Sequence, residues 1–143
     1  MRVTLLLADA AQATEGKLYI LGGGWSITGP EPAPSAIAIK IDVPWDQANK
    51  RHRLELALRD ADGQAVKVPT PMGEQPMAIG ADFEVGRPVG LKPGTPLDVA
   101  LAINLGPLPL APDRRYVWQC SINGETREDW QLAFTTRPAR QGQ

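Results

Sequence analysis

Two side chains with ready chemistry occur once each in this chain: His52, set between Arg51 and Arg53, and Cys120, next to Gln119 in Tyr116-Val117-Trp118-Gln119-Cys120. A histidine-based triad needs a serine and an aspartate brought to the ring, and zinc usually takes more His or Cys ligands than the chain owns. His52 therefore reads as an exposed residue at the entrance of a strand. Cys120 shares the apolar parity of Trp118 and Ile122, where burial keeps a thiol inert. No catalytic residue, metal site or cofactor is assigned.

Three further patterns resemble pieces of binding motifs and fall short of them. Gly22-Gly23-Gly24 matches neither glycine-rich phosphate fingerprint, with no helix expected behind it, and reads as a bend or bulge in a strand. Asp60-Ala61-Asp62-Gly63 lacks the later ligands of a calcium loop and reads as a hairpin turn. Asp9 and Asp42 are the carboxylates a hydrolase would need to bring together, and Asp9 alone could either cap a turn or bind a ligand. The tryptophans complete the candidates, because an exposed indole anchors a protein partner or stacks on a sugar. Trp118 and Trp130 lie on core parity. Trp25, after the glycines, and Trp45, in Pro44-Trp45-Asp46-Gln47, are the candidate binding residues together with Asp9.

The elements that must position these residues are strands. Period-2 runs recur along the chain between Pro and Gly punctuation, and no long segment holds a 3.6-residue apolar period. Val3 to Ala11 and Gly16 to Ile27 form a pair, with the first strand ending near Asp9. Ile37, Ile39, Ile41 and Val43 mark a half-buried third strand, and Leu54, Leu56 and Leu58 a fourth. Asp62-Gly63 turns into Gln64 to Val68. Pro69 to Pro76 reads as the longest and most mobile loop, and Met77 to Val85 with Pro88 to Leu91 as an interrupted edge strand. Leu97, Val99, Leu101, Ile103 and Leu105 form the clearest alternation. Tyr116 to Ile122, an Asn123-Gly124 type I′ turn, and Trp130, Leu132 and Phe134 close the pattern.

About nine strands at such spacings give an all-β fold, an antiparallel β-sandwich. Asp113, Tyr116 and Cys120 sit as at the corner of an immunoglobulin-like sandwich, where the tyrosine hydroxyl ties the corner to backbone; the partner cysteine of an antibody domain is missing. The expected organisation is a single domain over residues 1–136 and a polar tail over 137–143.

The strand ending in Leu7-Ala8-Asp9-Ala10 and the run Gly16-Lys17-Leu18-Tyr19-Ile20-Leu21-Gly22-Gly23 resemble a family of small uncharacterised bacterial proteins. The resemblance implies one domain over most of the chain and no particular activity.

Composition narrows the partners. Fifteen basic residues against 16 acidic ones, a formal net charge of −1 and no run of either sign give no electrostatic reason to expect nucleic acid or an anionic membrane. No apolar run approaches a transmembrane span. One cysteine permits no internal disulfide, which favours the cytoplasm. The leading expectation is a non-catalytic interaction module, homo-oligomeric or part of a larger assembly, acting through an uncovered strand in the Val3 to Leu7 region. The alternative is a small-molecule or glycan-binding module using Trp25, Trp45 and the Pro69 to Pro76 loop; a carboxylate-based hydrolase comes last.

Overall fold

Alternating apolar side chains can all be buried only if a partner layer covers that face of the strand, and the chain meets the condition with two sheets around one core. The computed structural model describes residues 1–140. Its strands are β1 (Arg2–Thr14), β2 (Lys17–Gly23), β3 (Ile27–Thr28), β4 (Ser35–Val43), β5 (His52–Asp60), β6 (Lys67–Thr70), β7 (Gly73–Pro76), β8 (Ala78–Phe83), β9 (Leu97–Leu105), β10 (Arg115–Ile122) and β11 (Glu125–Thr136). One sheet has the order β2-β1-β4-β9 and the other β3-β11-β10-β5-β8, while β6 and β7 form a separate hairpin. Every pairing is antiparallel except that of β3 with β11.

The fold is all-β, with eleven strands where nine were expected. The surplus comes from short elements: β3 has two residues, and the proline-marked stretch from 69 to 76 lies in the β6–β7 hairpin and not in a loop. Thr70 makes that turn, its hydroxyl donating to the Gly73 carbonyl at 2.6 Å. Asp62-Gly63 does turn the chain, with Asp60 Oδ1 accepting the amides of Asp62 and Gln64 at 2.9 Å, but the strand that follows pairs with β7 after a single bridge, Arg59 to Ala65. Residues 88 to 91 are not a strand.

The core is where the alternation puts it. Ile37, Ile39, Ile41, Leu54, Leu56, Leu58, Leu97, Trp118, Cys120 and Trp130 are buried, with Leu101, Ile103 and Leu132 half-buried against them. Where β10 begins, the Tyr116 hydroxyl accepts the Ala111 amide at 3.0 Å and ties the strand to the segment before it. Asn123 (φ 53°) and Gly124 (φ 83°) form the left-handed pair that joins β10 to β11.

One expectation about the first strand fails. β1 does not end near Asp9; it continues to Thr14, because Asp9 stands opposite Gly22, whose missing side chain and positive φ of 60° leave space for the carboxylate. Its two partners divide it: β4 pairs with it from Arg2 to Ala8 and β2 from Ala8 to Thr14, so the Val3 to Leu7 run has a strand on one side only. Beyond Ala8 the β1–β2 hairpin bends over the face of the sheet turned away from the main core. Asn104 of β9 clamps it there, donating to the Ala11 carbonyl at 2.7 Å and accepting the Ala11 amide at 3.2 Å. Only small side chains allow so close a covering: Ala8, Ala11, Ala36 and Ala38 are buried in this second cluster, with Leu18 and Ala102 against them. β4 is consequently covered on both faces along its first half, where alternation predicts one.

Candidate functional site

The hydrolase expectation needs two carboxylates within reach. Asp42 is paired in register with Arg2, whereas Asp9 lies seven residues further along β1, a separation of roughly 23 Å at the rise of a strand. The structure therefore does not bring Asp9 and Asp42 together. Asp42 and Asp98 instead flank the ammonium of Lys40, Asp98 at 2.7 Å. Hydrogen bonds first to Asp42 and then to Asp98 hold the Lys40 ammonium above its ordinary range. Asp9 is exposed beside Gly22, with no charged partner among the described residues.

His52, expected at the surface, is buried at 3% exposure. Its ring stacks on Phe83 at 5.2 Å between centroids, Nε2 lies 3.0 Å from the Gln47 carbonyl and Nδ1 lies 3.0 Å from Nδ2 of Asn123. A carbonyl must accept and an amide nitrogen must donate, so the ring is the neutral tautomer protonated at Nε2. Both nitrogens are occupied. Cys120 is buried too, and loss of hydration pushes its thiol up to about 11. Among the described residues no three His, Cys, Asp or Glu side chains are grouped to hold a metal ion, and no helix is long and apolar enough to cross a membrane.

The two candidate tryptophans stand at opposite ends of the fold. Trp45 follows Val43 at the end of β4, in a single 3-10 turn. The Arg87 guanidinium lies 4.6 Å from its ring centroid and donates to the Trp45 carbonyl at 2.7 Å, so one face of the indole is covered by the chain itself. Trp25 lies near Ser35, where β4 begins, roughly 26 Å away at the rise of a strand. They do not form one site with each other, and the β6–β7 hairpin joins neither cavity.

Trp25 closes a largely apolar cavity. It is lined by Leu7, Trp25, Leu108, Leu110, Trp118 and Phe134 and rimmed by the segment from Thr28 to Ser35. The enclosed space is ≈ 40 Å³. Thr136 borders it with its hydroxyl fully used, accepting the Arg114 amide at 2.9 Å and donating to the Ala111 carbonyl at 2.7 Å. The indole Nε1–H of Trp25 is buried without a partner. Sequence reasoning finds Trp25 but not the whole wall, because residues 29–34 and 108–110 are irregular and meet only in the folded chain.

A second surface feature was also absent from the sequence reading. β2 pairs with β1 on one side and leaves its other edge free, and on it Tyr19 is 56%, Ile20 38% and Leu21 71% exposed. Lys17 is the single charged residue of the strand.

No curated protein and no solved structure matches the chain. A model of the family of unknown function DUF6941 matches residues 3–135, and the chain belongs to that family.

Proposed function

We propose that this protein is a non-catalytic interaction module built on an immunoglobulin-like sandwich, and that it self-associates through the free edge of β2. The observation that carries this reading is the run Tyr19-Ile20-Leu21, three large apolar side chains exposed on a strand with one unpaired edge. Edge strands that must stay solitary are usually guarded by charge, proline or a covering loop, and β2 has one lysine at its start. Two copies related by a twofold axis at Ile20 would set Tyr19 against Leu21 and Lys17 against Gly23, so aromatic meets aliphatic and the like charges stay apart.

The immunoglobulin-like reading rests on the order β11-β10-β5 facing β1-β4-β9, on the parallel β3–β11 pair and on the tyrosine corner. The non-catalytic reading is supported by the distance between Asp9 and Asp42 and by the occupied nitrogens of His52. A buried lone thiol suits a reducing, cytoplasmic setting.

Light scattering on the purified chain tests the reading. A mass of twice 15.4 kDa that reverts to 15.4 kDa in Leu21→Lys supports it. A wild-type chain that stays monomeric at every concentration overturns it.

A further inference from the structure

A buried indole N–H without an acceptor is uncommon, because the lost hydration is normally recovered by a hydrogen bond. Among the buried side-chain polar atoms of the described residues, Nε1 of Trp25 is in that position, and Trp25 is a wall of a partly enclosed cleft. The two observations are independent: one concerns a donor and the other a space.

The space selects the size of what fits. A single water needs roughly 10–15 Å³ on this measure, so ≈ 40 Å³ admits a group of a few heavy atoms. The lining selects its polarity. Leu7, Leu108, Leu110, Trp118 and Phe134 are apolar, and the neighbouring hydroxyl of Thr136 is already bonded on both sides. The charge at the mouth selects against an anion. Glu31 is the charged lining residue, its carboxylate 3.6 Å from Arg140 Nε, so an anion entering the cleft meets a carboxylate, while the Arg137 guanidinium is turned to the Gly29 carbonyl.

We propose that the cleft beneath Trp25 is a binding site for a small neutral molecule with a carbonyl oxygen, a ketone, ester or amide, whose carbonyl accepts from Trp25 Nε1–H while its alkyl end fills the space between Leu7, Leu108 and Phe134. The segment from Gly29 to Ala33 forms the entrance. It is held from behind, since Arg137 donates to the Gly29 carbonyl at 3.0 Å and its backbone amide to the Thr28 carbonyl at 2.8 Å, so the entrance is preformed. This site is distinct from the β2 edge and does not depend on self-association.

Acetone is the probe, followed by nuclear magnetic resonance of the full chain. Titration should move the Trp25 indole N–H downfield together with methyl resonances of Leu7, Leu108 and Leu110, with a Kd in roughly the millimolar range set by the few atoms of the probe. Trp25→Phe, which keeps an aromatic ring and removes the donor, should weaken the methyl response about tenfold. Ala33→Trp, at an exposed rim position, should block the entrance and abolish the response while leaving the fold intact. No shift of the indole and methyl signals at saturating acetone, or an equal response in Trp25→Phe, overturns the proposal. So does a water signal on the indole N–H that persists through the titration.

Discussion

Asn123 and His52 are joined across two sheet strands: Nδ2 of Asn123 donates to Nδ1 of His52 at 3.0 Å, while Oδ1 of the same amide accepts the Arg53 backbone N–H at 2.9 Å. One side chain in the β10–β11 turn thus satisfies the buried imidazole and anchors the start of β5. The Asn123 amide to the Arg53 carbonyl, 2.8 Å, completes the junction. The turn is consequently a structural joint as well as a reversal.

Replacing Asn123 with alanine should destabilise the fold by about 2–3 kcal/mol, combining an orphaned buried ring nitrogen with an alanine forced into the left-handed region. Asn123→Gly relieves the backbone strain and should recover part of the loss. Urea denaturation of the two variants measures both, and a loss below about 0.5 kcal/mol in Asn123→Ala would remove the joint from the stability of the fold.

Trp118 is 1% exposed at the centre of the core. Trp118→Ala should cost about 3–5 kcal/mol, the range for emptying an aromatic site in packed surroundings. Denaturation midpoints decide this, and a loss under 1 kcal/mol would make the residue peripheral.

Alkaline pH should destabilise the fold. Burial pushes the Cys120 thiol from 9.0 to about 11, and carboxylate partners raise Lys40 above 10.5. Both groups hold their protons more tightly folded than unfolded. Their contribution is present in full below pH 9 and is lost as pH rises through about 11, the thiol first and the exposed lysine with little effect. The thiol should account for about 2 kcal/mol of this fall. Cys120→Ala should flatten the curve between pH 9 and 11, and the native thiol should resist alkylation at pH 8 while the unfolded thiol reacts.

Asn104 is the clamp that holds the β1–β2 hairpin on the alanine surface. Asn104→Ala should speed amide hydrogen exchange at Ala11 and its neighbours with little change in the β5–β10 core, because the bonds lost are confined to the hairpin. Unchanged exchange at Ala11 would show that the alanines alone hold the hairpin down.

The strands that carry the core were legible because burial on one face writes period 2 into Leu54 to Leu58, Leu97 to Ile103 and Tyr116 to Ile122. What escaped has identifiable causes. Ala36 and Ala38 give no hydrophobic signal strong enough to announce a second covered face, and β1 looked finished at Asp9 because its continuation depends on Gly22 across the strand pair. Pro69 and Pro76 read as loop punctuation yet lie within the strands of a two-stranded hairpin, where edge positions tolerate proline. Polarity placed His52 outside, since the Gln47 carbonyl and Asn123 amide that allow its burial are invisible in local pattern. Of the candidate residues, Trp25 was named from sequence and found at a cavity; Asp9 and Trp45 were named and found elsewhere, one exposed beside a glycine and the other under an arginine.

The parallel pairing of β3 with β11 fixes the order in which a ribosome can complete this fold. Arg137 and Gly29, which close that pairing, are 108 residues apart. At about 5–20 residues per second, β3 waits several seconds for its neighbour after leaving the exit tunnel. β1, β2 and β4 lie within the first 43 residues and can pair at once. During that interval Tyr19, Ile20 and Leu21 have left the ribosome while the second sheet is still being made, so a strand that pairs with its own copy, as proposed above, would meet a neighbouring nascent chain before the domain is finished.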